Sequence, residues 1–339
     1  MVVTAVGVAV LVLVVHDVVT TSVSLRPRGG PLTARLSVWV RSVPRRRRND
    51  SHEGGGVRTG PRVLLATVSA WVLLSWIGWS LVFLGGPSAV VDASTGTPAG
   101  VAARVYFAGF SVFTLGIGDF RPHGALWQVA TAVAAAQGFF VLTFSVAYVL
   151  PVVSAATERR AAARAIASLG RTPAAMVVNA WNGERFGNLQ PTFAHLRPML
   201  TAVQEKHHAY PVLHDFVSLE ADASLPRCLA VLSEALLLWS AGVAPDRRPD
   251  AILLRDLERV VEGYLDMLAQ THIRIAAEAP APPSLQLLQE MGIPTVSPAE
   301  FHRSAASFER RRRLLLGLVE GEARRWSDVD RGTRCKDPT

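Results

Sequence analysis

The 339-residue chain has room for two domains, and half of its residues are hydrophobic, with a mean hydropathy of +0.26. That composition is high for a soluble protein and points to a membrane class. The formal net charge of +8 would suit a nucleic-acid partner, but its placement argues for no nucleic acid: residues 1–157 carry 12 Lys/Arg against 5 Asp/Glu, whereas residues 158–339 carry 23 against 22.

Residues 1–25 are apolar apart from His16 and Asp17 and can cross a bilayer once as a helix. No cation precedes the run and no small-residue cleavage site comes after it, which argues against a signal peptide. Asp17 is costly against lipid. It is expected to face another helix in a structural role, or a polar cavity near the membrane edge.

Residues 26–62 form a basic loop that holds ten of the first 12 cations, with Arg45 to Arg48 consecutive and Gly54-Gly55-Gly56 just after. Within it Leu32, Leu36, Trp39, Val40 and Val43 repeat at helical spacing, while Arg35 and Arg41 lie off that stripe. The segment reads either as a helix lying along the inner leaflet or as a basic tether touching anionic head groups.

Residues 63–84 contain no charge and are long enough to span. Their Trp71, Trp76 and Trp79 read as lipid or helix-packing residues. Residues 85–100 are rich in Gly, Pro, Ser and Thr and carry no Lys or Arg. Counting cations places the 26–62 loop in the cytosol, and this loop and the N-terminus outside. Residues 101–113 are too short to span but suit a re-entrant helix, with Tyr106, Phe107, Phe110 and Phe113 packing beside the glycine-rich segment at its end.

That segment reads Ser111-Val112-Phe113-Thr114-Leu115-Gly116-Ile117-Gly118-Asp119-Phe120. Lining a pore with backbone carbonyls requires successive residues to leave the ordinary β and α regions, which Gly116 and Gly118 do at no steric cost. Thr114 adds a hydroxyl at one end and Asp119 a carboxylate at the other. The segment Thr114-Leu115-Gly116-Ile117-Gly118-Asp119 resembles the selectivity filter of potassium channels, Thr-Val-Gly-Tyr-Gly-Asp. The resemblance covers about a third of the chain and implies K⁺ sites at Thr114, Leu115, Gly116 and Ile117. Gly138, 20 residues beyond Gly118, matches the gating-hinge glycine of the inner helix in bacterial members. Matched from the filter, Tyr106 falls where these channels often carry a tryptophan bonded to the filter aspartate, so it is expected to support Asp119. Three departures accompany the match. Ile117 replaces the usual aromatic, Gly109 falls where some members carry a carboxylate, and Arg121 would ring the outer mouth with positive charge unless it pairs with Asp119.

Residues 124–157 carry no formal charge, exceed the hydrocarbon core as a helix, and are expected to emerge at Glu158-Arg159-Arg160, with Gly138 and Pro151 as weak points. Ser145 and Tyr148 either line a pore or face neighbouring helices. Residues 158–339 read as a soluble, mostly helical, cytosolic domain, with apolar spacing over Ala161 to Leu169, Leu229 to Leu238, Ile252 to Ala277 and Phe301 to Arg325. No Gly-x-Gly-x-x-Gly comes after a strand, so no Rossmann-type regulatory domain is expected, and no span bears a charge at every third position, so no voltage sensor is expected. No nucleophile–base arrangement carries a supporting signature, so no enzyme is expected. Glu205, Lys206, His207, His208, His214 and Asp215 form a group that could bind metal by residue type, against packed or solvated histidines as the plainer reading. Arg310 to Arg313 read as a solvated helix face. Cys228 and Cys335 are expected as free thiols in the cytosolic part.

The expected fold is an all-α membrane protein: an N-terminal transmembrane helix (1–25), a basic cytosolic loop (26–62), a potassium-channel-type pore domain of helix, pore helix, filter and helix (63–157), and a helical cytosolic domain (158–339). The resemblance implies a potassium-selective channel in the cell membrane, a homotetramer because four filters enclose one pore, with K⁺ as the transported ion and no cofactor. A weakly selective cation channel and a non-conducting membrane scaffold with a partner-binding cytosolic domain are the alternatives.

Overall fold

A computed structural model describes residues 1–23, 29–42, 59–187, 189–270 and 273–330. The Arg45 to Arg48 run, Val43, the Gly54 to Gly56 triplet and Cys335 lie outside the described residues. The chain is an all-α membrane protein, and two compact units meet in sequence between Val153 and Ser154.

The first unit is built from α1 (Val2–Val23), α2 (Pro31–Ser42), α3 (Thr59–Leu84), β1 (Val90–Asp92), α4 (Val101–Val112), β2 (Phe120–Pro122) and the first part of α5 (Ala125–Ala167). Among the described residues four helices are long and apolar enough to cross a membrane: α1, α3, α5 and the stretch Leu225–Gly242. Three of these are the spans expected from sequence. Helices α1 and α3 approach so closely that a Cβ at Gly7 would lie 2.7 Å from the carbonyl oxygen of Gly78. Further along α1, Asp17 is fully buried. Its carboxylate accepts from the Leu32 and Thr33 amides at the start of α2, the Thr33 hydroxyl (2.7 Å), and Trp71 Nε1 on α3 (2.8 Å). A carboxylate that takes up the unpaired amides of a helix N-terminus satisfies those amides and the helix dipole together. Asp17 thus joins three helices in the structural role its position suggests.

Two corrections concern this unit. The loop 85–100 and the residues after the Thr114–Asp119 segment pair as an antiparallel ribbon, with Val90 opposite Pro122, Val91 opposite Arg121 and Asp92 opposite Phe120. Helix α5 does not end near Glu158; it runs through Pro151 to Ala167 and merges with the helix expected over Ala161 to Leu169.

The second unit, from Ser154 onward, holds the end of α5, then α6 (Pro173–Asn179), α7 (Leu189–Ala209), α8 (Leu225–Leu237), α9 (Ala251–Ala269), α10 (Gln286–Glu290), α11 (Pro298–Ala305), α12 (Glu309–Gly321) and α13 (Ser327–Asp330). Every residue of α8 is buried, and a π turn over Leu238–Gly242 extends it. Leu225–Gly242 is apolar because it is the core of this unit, with 94% of the stretch buried by protein. Two expected long helices are shorter. The helix expected to reach Ala277 ends at Ala269, and Phe301 to Arg325 divides into α11, a 3-10 turn at Ala306–Phe308, and α12.

The arginine run on α12 is a solvated face only at Arg310 and, in part, Arg313. Arg312 is buried and donates to Glu234 at 2.7 Å, and Arg311 is buried against Glu258 and Glu262 at 3.7 and 3.6 Å. Burial lowers the Arg311 pKa and raises that of Glu258 above the ordinary carboxylate range, each partner opposing the other's shift. The apolar surroundings of α8 require such pairing, because a lone buried charge is far more costly than a paired one.

Candidate functional site

The filter-like segment hangs between α4 and β2, and both ends are held. At its start the Thr114 and Leu115 amides bond back to the Ser111 and Phe110 carbonyls at 3.3 and 2.8 Å, finishing α4 in a tight turn. At its end the Asp119 carbonyl accepts from the Ala93 amide at 2.9 Å, so the ribbon anchors it. Arg104 on α4 fixes the preceding loop by donating to the carbonyls of Gly86, Pro87 and Ala99.

Between these anchors the backbone alternates in hand. Thr114 has φ +57°, Gly116 +61° and Gly118 +88°, while Leu115 and Ile117 stay at negative φ. For Thr114 this is a sparsely populated conformation, costing about 1–3 kcal/mol. Alternating hand turns successive peptide planes so that their carbonyls face one edge and their amides the other. Among the described residues, the carbonyls of Thr114, Leu115, Gly116 and Ile117 accept no hydrogen bond. The segment is exposed in the single chain, with Leu115 and Ile117 64% and 59% accessible.

Several side chains support the segment. The Tyr106 hydroxyl lies near enough to the Asp119 carboxylate to feel its charge, without a hydrogen bond between them among the described residues, and its ring packs on Phe110 and Phe120 at 5.4 and 6.2 Å. Gly109 admits the indole of Trp76, whose Nε1 would sit 3.0 Å from a Cβ there and donates to the Val105 carbonyl. Gly138 of α5 lies directly against the Val112 carbonyl at the end of α4, in space that a Cβ would share with that oxygen. The structure therefore gives Gly138 a packing role that its spacing alone did not suggest. A mostly apolar pocket of about 180 Å³ opens beside this contact, lined by Val72, Ser75, Phe113, Thr114, Phe139 and Leu142 among others.

Ser145 and Tyr148 are buried, and Tyr148 packs on Trp71 with ring centroids 5.8 Å apart, so both face neighbouring helices of the chain. Trp79 donates to Gln137 on α5. Arg121 sits in β2, exposed, and forms no ion pair with Asp119 among the described residues.

In the second unit, α7 ends at Ala209 and His214 lies in the succeeding 3-10 turn, Pro211–Asp215. His207 is buried with Nδ1 2.9 Å from the Tyr264 hydroxyl and its ring 6.2 Å from that of His214. Burial pushes the Tyr264 hydroxyl up to about 12. Lys206 pairs with Glu158, and His208 is exposed. Among the described residues no three His, Cys, Asp or Glu side chains are placed to hold a metal ion. Cys228 is a buried free thiol.

These features define a multi-pass helical membrane protein with a short apolar helix, α4, and an exposed glycine-rich turn. No family model matches the chain, and no solved structure does. The uncharacterized membrane protein YdjJ of Bacillus subtilis (strain 168) is 34% identical over 310 residues, which is 91% of each chain. The chain belongs to the family of that membrane protein.

Proposed function

We propose that the chain is the subunit of a potassium-selective channel resembling bacterial channels with two pore-forming helices, with four copies enclosing one pore in the cell membrane. The observation that carries this reading is the alternation of φ over Thr114 to Gly118, with four carbonyls that accept no hydrogen bond among the described residues. Unpaired carbonyls at membrane depth are costly unless water or an ion satisfies them. A ring of four such strands meets that need by replacing the hydration shell of K⁺. The ion sheds water into sites formed by the carbonyls of Thr114, Leu115, Gly116 and Ile117, with the Thr114 hydroxyl at the inner end, and moves on as the next ion arrives. The density of arginine in residues 26–62 favours that loop and residues 158–339 in the cytosol, the N-terminus outside, and Asp119 at the outer mouth.

The test is K⁺ against Na⁺ flux in liposomes holding the purified protein, with Ba²⁺ as blocker. Selective, Ba²⁺-sensitive K⁺ flux is expected, and Gly118→Ala, which places a Cβ at φ +88°, should abolish it with the oligomer intact. Undiminished flux in that variant would remove the filter assignment, and silence of the wild type would favour the scaffold reading. Ile117 favours one second reading. It presents no aromatic ring to hold the filter width, and a reversal potential that ignores the K⁺ to Na⁺ ratio would make the channel weakly selective.

A further inference from the structure

Helix α2 sits where α1 ends and α3 begins, held there by Asp17 through the Leu32 and Thr33 amides and by contacts with both helices. One face is used for this: Thr33 is buried, and Leu36 is half-buried. The opposite face, including Ala34, Arg35, Val38 and Trp39, is exposed or partly so, with Val38 and Trp39 63% and 62% accessible. An exposed tryptophan near an arginine, on a helix joined to the ends of two membrane spans, matches the amphipathic composition of the bilayer interface. The sequence around it is of one sign: Arg26, Arg28, Arg35, Arg41 and Arg45 to Arg48 occur in residues 26–48 with no Asp or Glu.

We infer that the Arg35–Val38–Trp39 face of α2 docks on the membrane surface and binds anionic phospholipid headgroups. Trp39 and Val38 enter the boundary between headgroup and acyl chain, and Arg35 pairs with headgroup phosphate. Charge complementarity selects this occupant, since a neutral protein surface would gain nothing from a uniformly cationic helix. Because Asp17 also takes the Trp71 indole, and Trp71 packs on Tyr148 of α5, lipid bound at α2 bears on an element that contacts α5. The inference does not depend on ion conduction.

The full-length protein reconstituted in nanodiscs of phosphatidylcholine, with and without phosphatidylglycerol, supplies the test through its thermal unfolding midpoint at low and high salt. Phosphatidylglycerol should raise the wild-type midpoint by about 2–4 °C at low salt, and high salt should erase most of the gain. The double variant Arg35→Gln with Trp39→Ala should keep the wild-type midpoint in phosphatidylcholine and lose the gain. Should that variant unfold, Arg35→Gln alone carries the same expectation in part. A wild-type midpoint equal in the two lipids overturns the inference, as does a full gain in the variants. If a second copy covers this face instead, the double variant will lower the oligomer mass in both lipids alike, which also overturns it.

Discussion

At the scale of single residues, Gly138 and Asp17 show how a position can be chosen for what touches it. A glycine inside an exposed helix is worth replacing: alanine gains about 1 kcal/mol of helix propensity. At Gly138 the new methyl would meet the Val112 carbonyl, and overpacking of that kind costs about 1–3 kcal/mol. Gly138→Ala is therefore expected to lower the thermal midpoint of the purified protein. A higher midpoint would return Gly138 to the role of a hinge free of contacts. Asp17 poses the opposite problem, a buried carboxylate stabilised by donors from α2 and α3. In Asp17→Asn one oxygen becomes an amide that faces donors with donors, so a loss of about 2–4 kcal/mol is expected. Chemical denaturation in detergent would measure it, and a loss below about 1 kcal/mol would mean that water, not Asp17, satisfies those amides.

At the scale of elements, the β1–β2 ribbon has a pH dependence of defined sign. The Ser94 hydroxyl, then the Thr95 and Ser94 amides, hold the Asp92 carboxyl down at about 2 against an ordinary 3.8. With the folded value depressed, the turn's extra stability is present above the unfolded pKa and is lost as pH falls through about 2. Hydrogen exchange at the Ser94 and Thr95 amides should therefore quicken in Asp92→Asn at about pH 5 and differ little from wild type near the folded pKa; equal rates at the higher pH would show that Asp92 does not hold the turn. This ribbon was not legible in the sequence, because three-residue strands are too short for alternation to register. The spans were legible, since an uninterrupted apolar run has few other uses. The start of α11 carries a legible signal as well: Ser297 caps the Glu300 amide with Pro298 at the first position, ahead of Phe301. Arg311 and Arg312 could not be placed from their own segment. What buries them is Glu234, Glu258 and Glu262, whose arrival on α8 and α9 is a property of the tertiary fold.

At the scale of the whole molecule, one chain leaves the filter-like segment exposed, which is the strongest physical reason to propose copies around it. The glycines made the segment legible in the sequence, yet Thr114 at positive φ, Trp76 over Gly109 and the ribbon beyond Asp119 belong to the fold. That ribbon sets Arg121 opposite Val91, exposed and two residues from Asp119. In a homotetramer four guanidinium groups would stand around the outer mouth, repelling the cation that must enter. Such a barrier acts through solvent and is tuned by salt: the Debye length is about 30 Å at about 0.01 M and about 10 Å at about 0.1 M ionic strength. Arg121→Gln should therefore raise inward K⁺ flux several-fold at low ionic strength, and the wild type and variant should converge as salt rises. Selectivity should stay where it was, because the carbonyls are untouched. If Arg121→Gln leaves low-salt flux unchanged while Gly118→Ala still abolishes it, the arginine ring lies off the ion's path and the four-fold mouth inferred from β2 is wrong in its geometry, although the filter itself would stand.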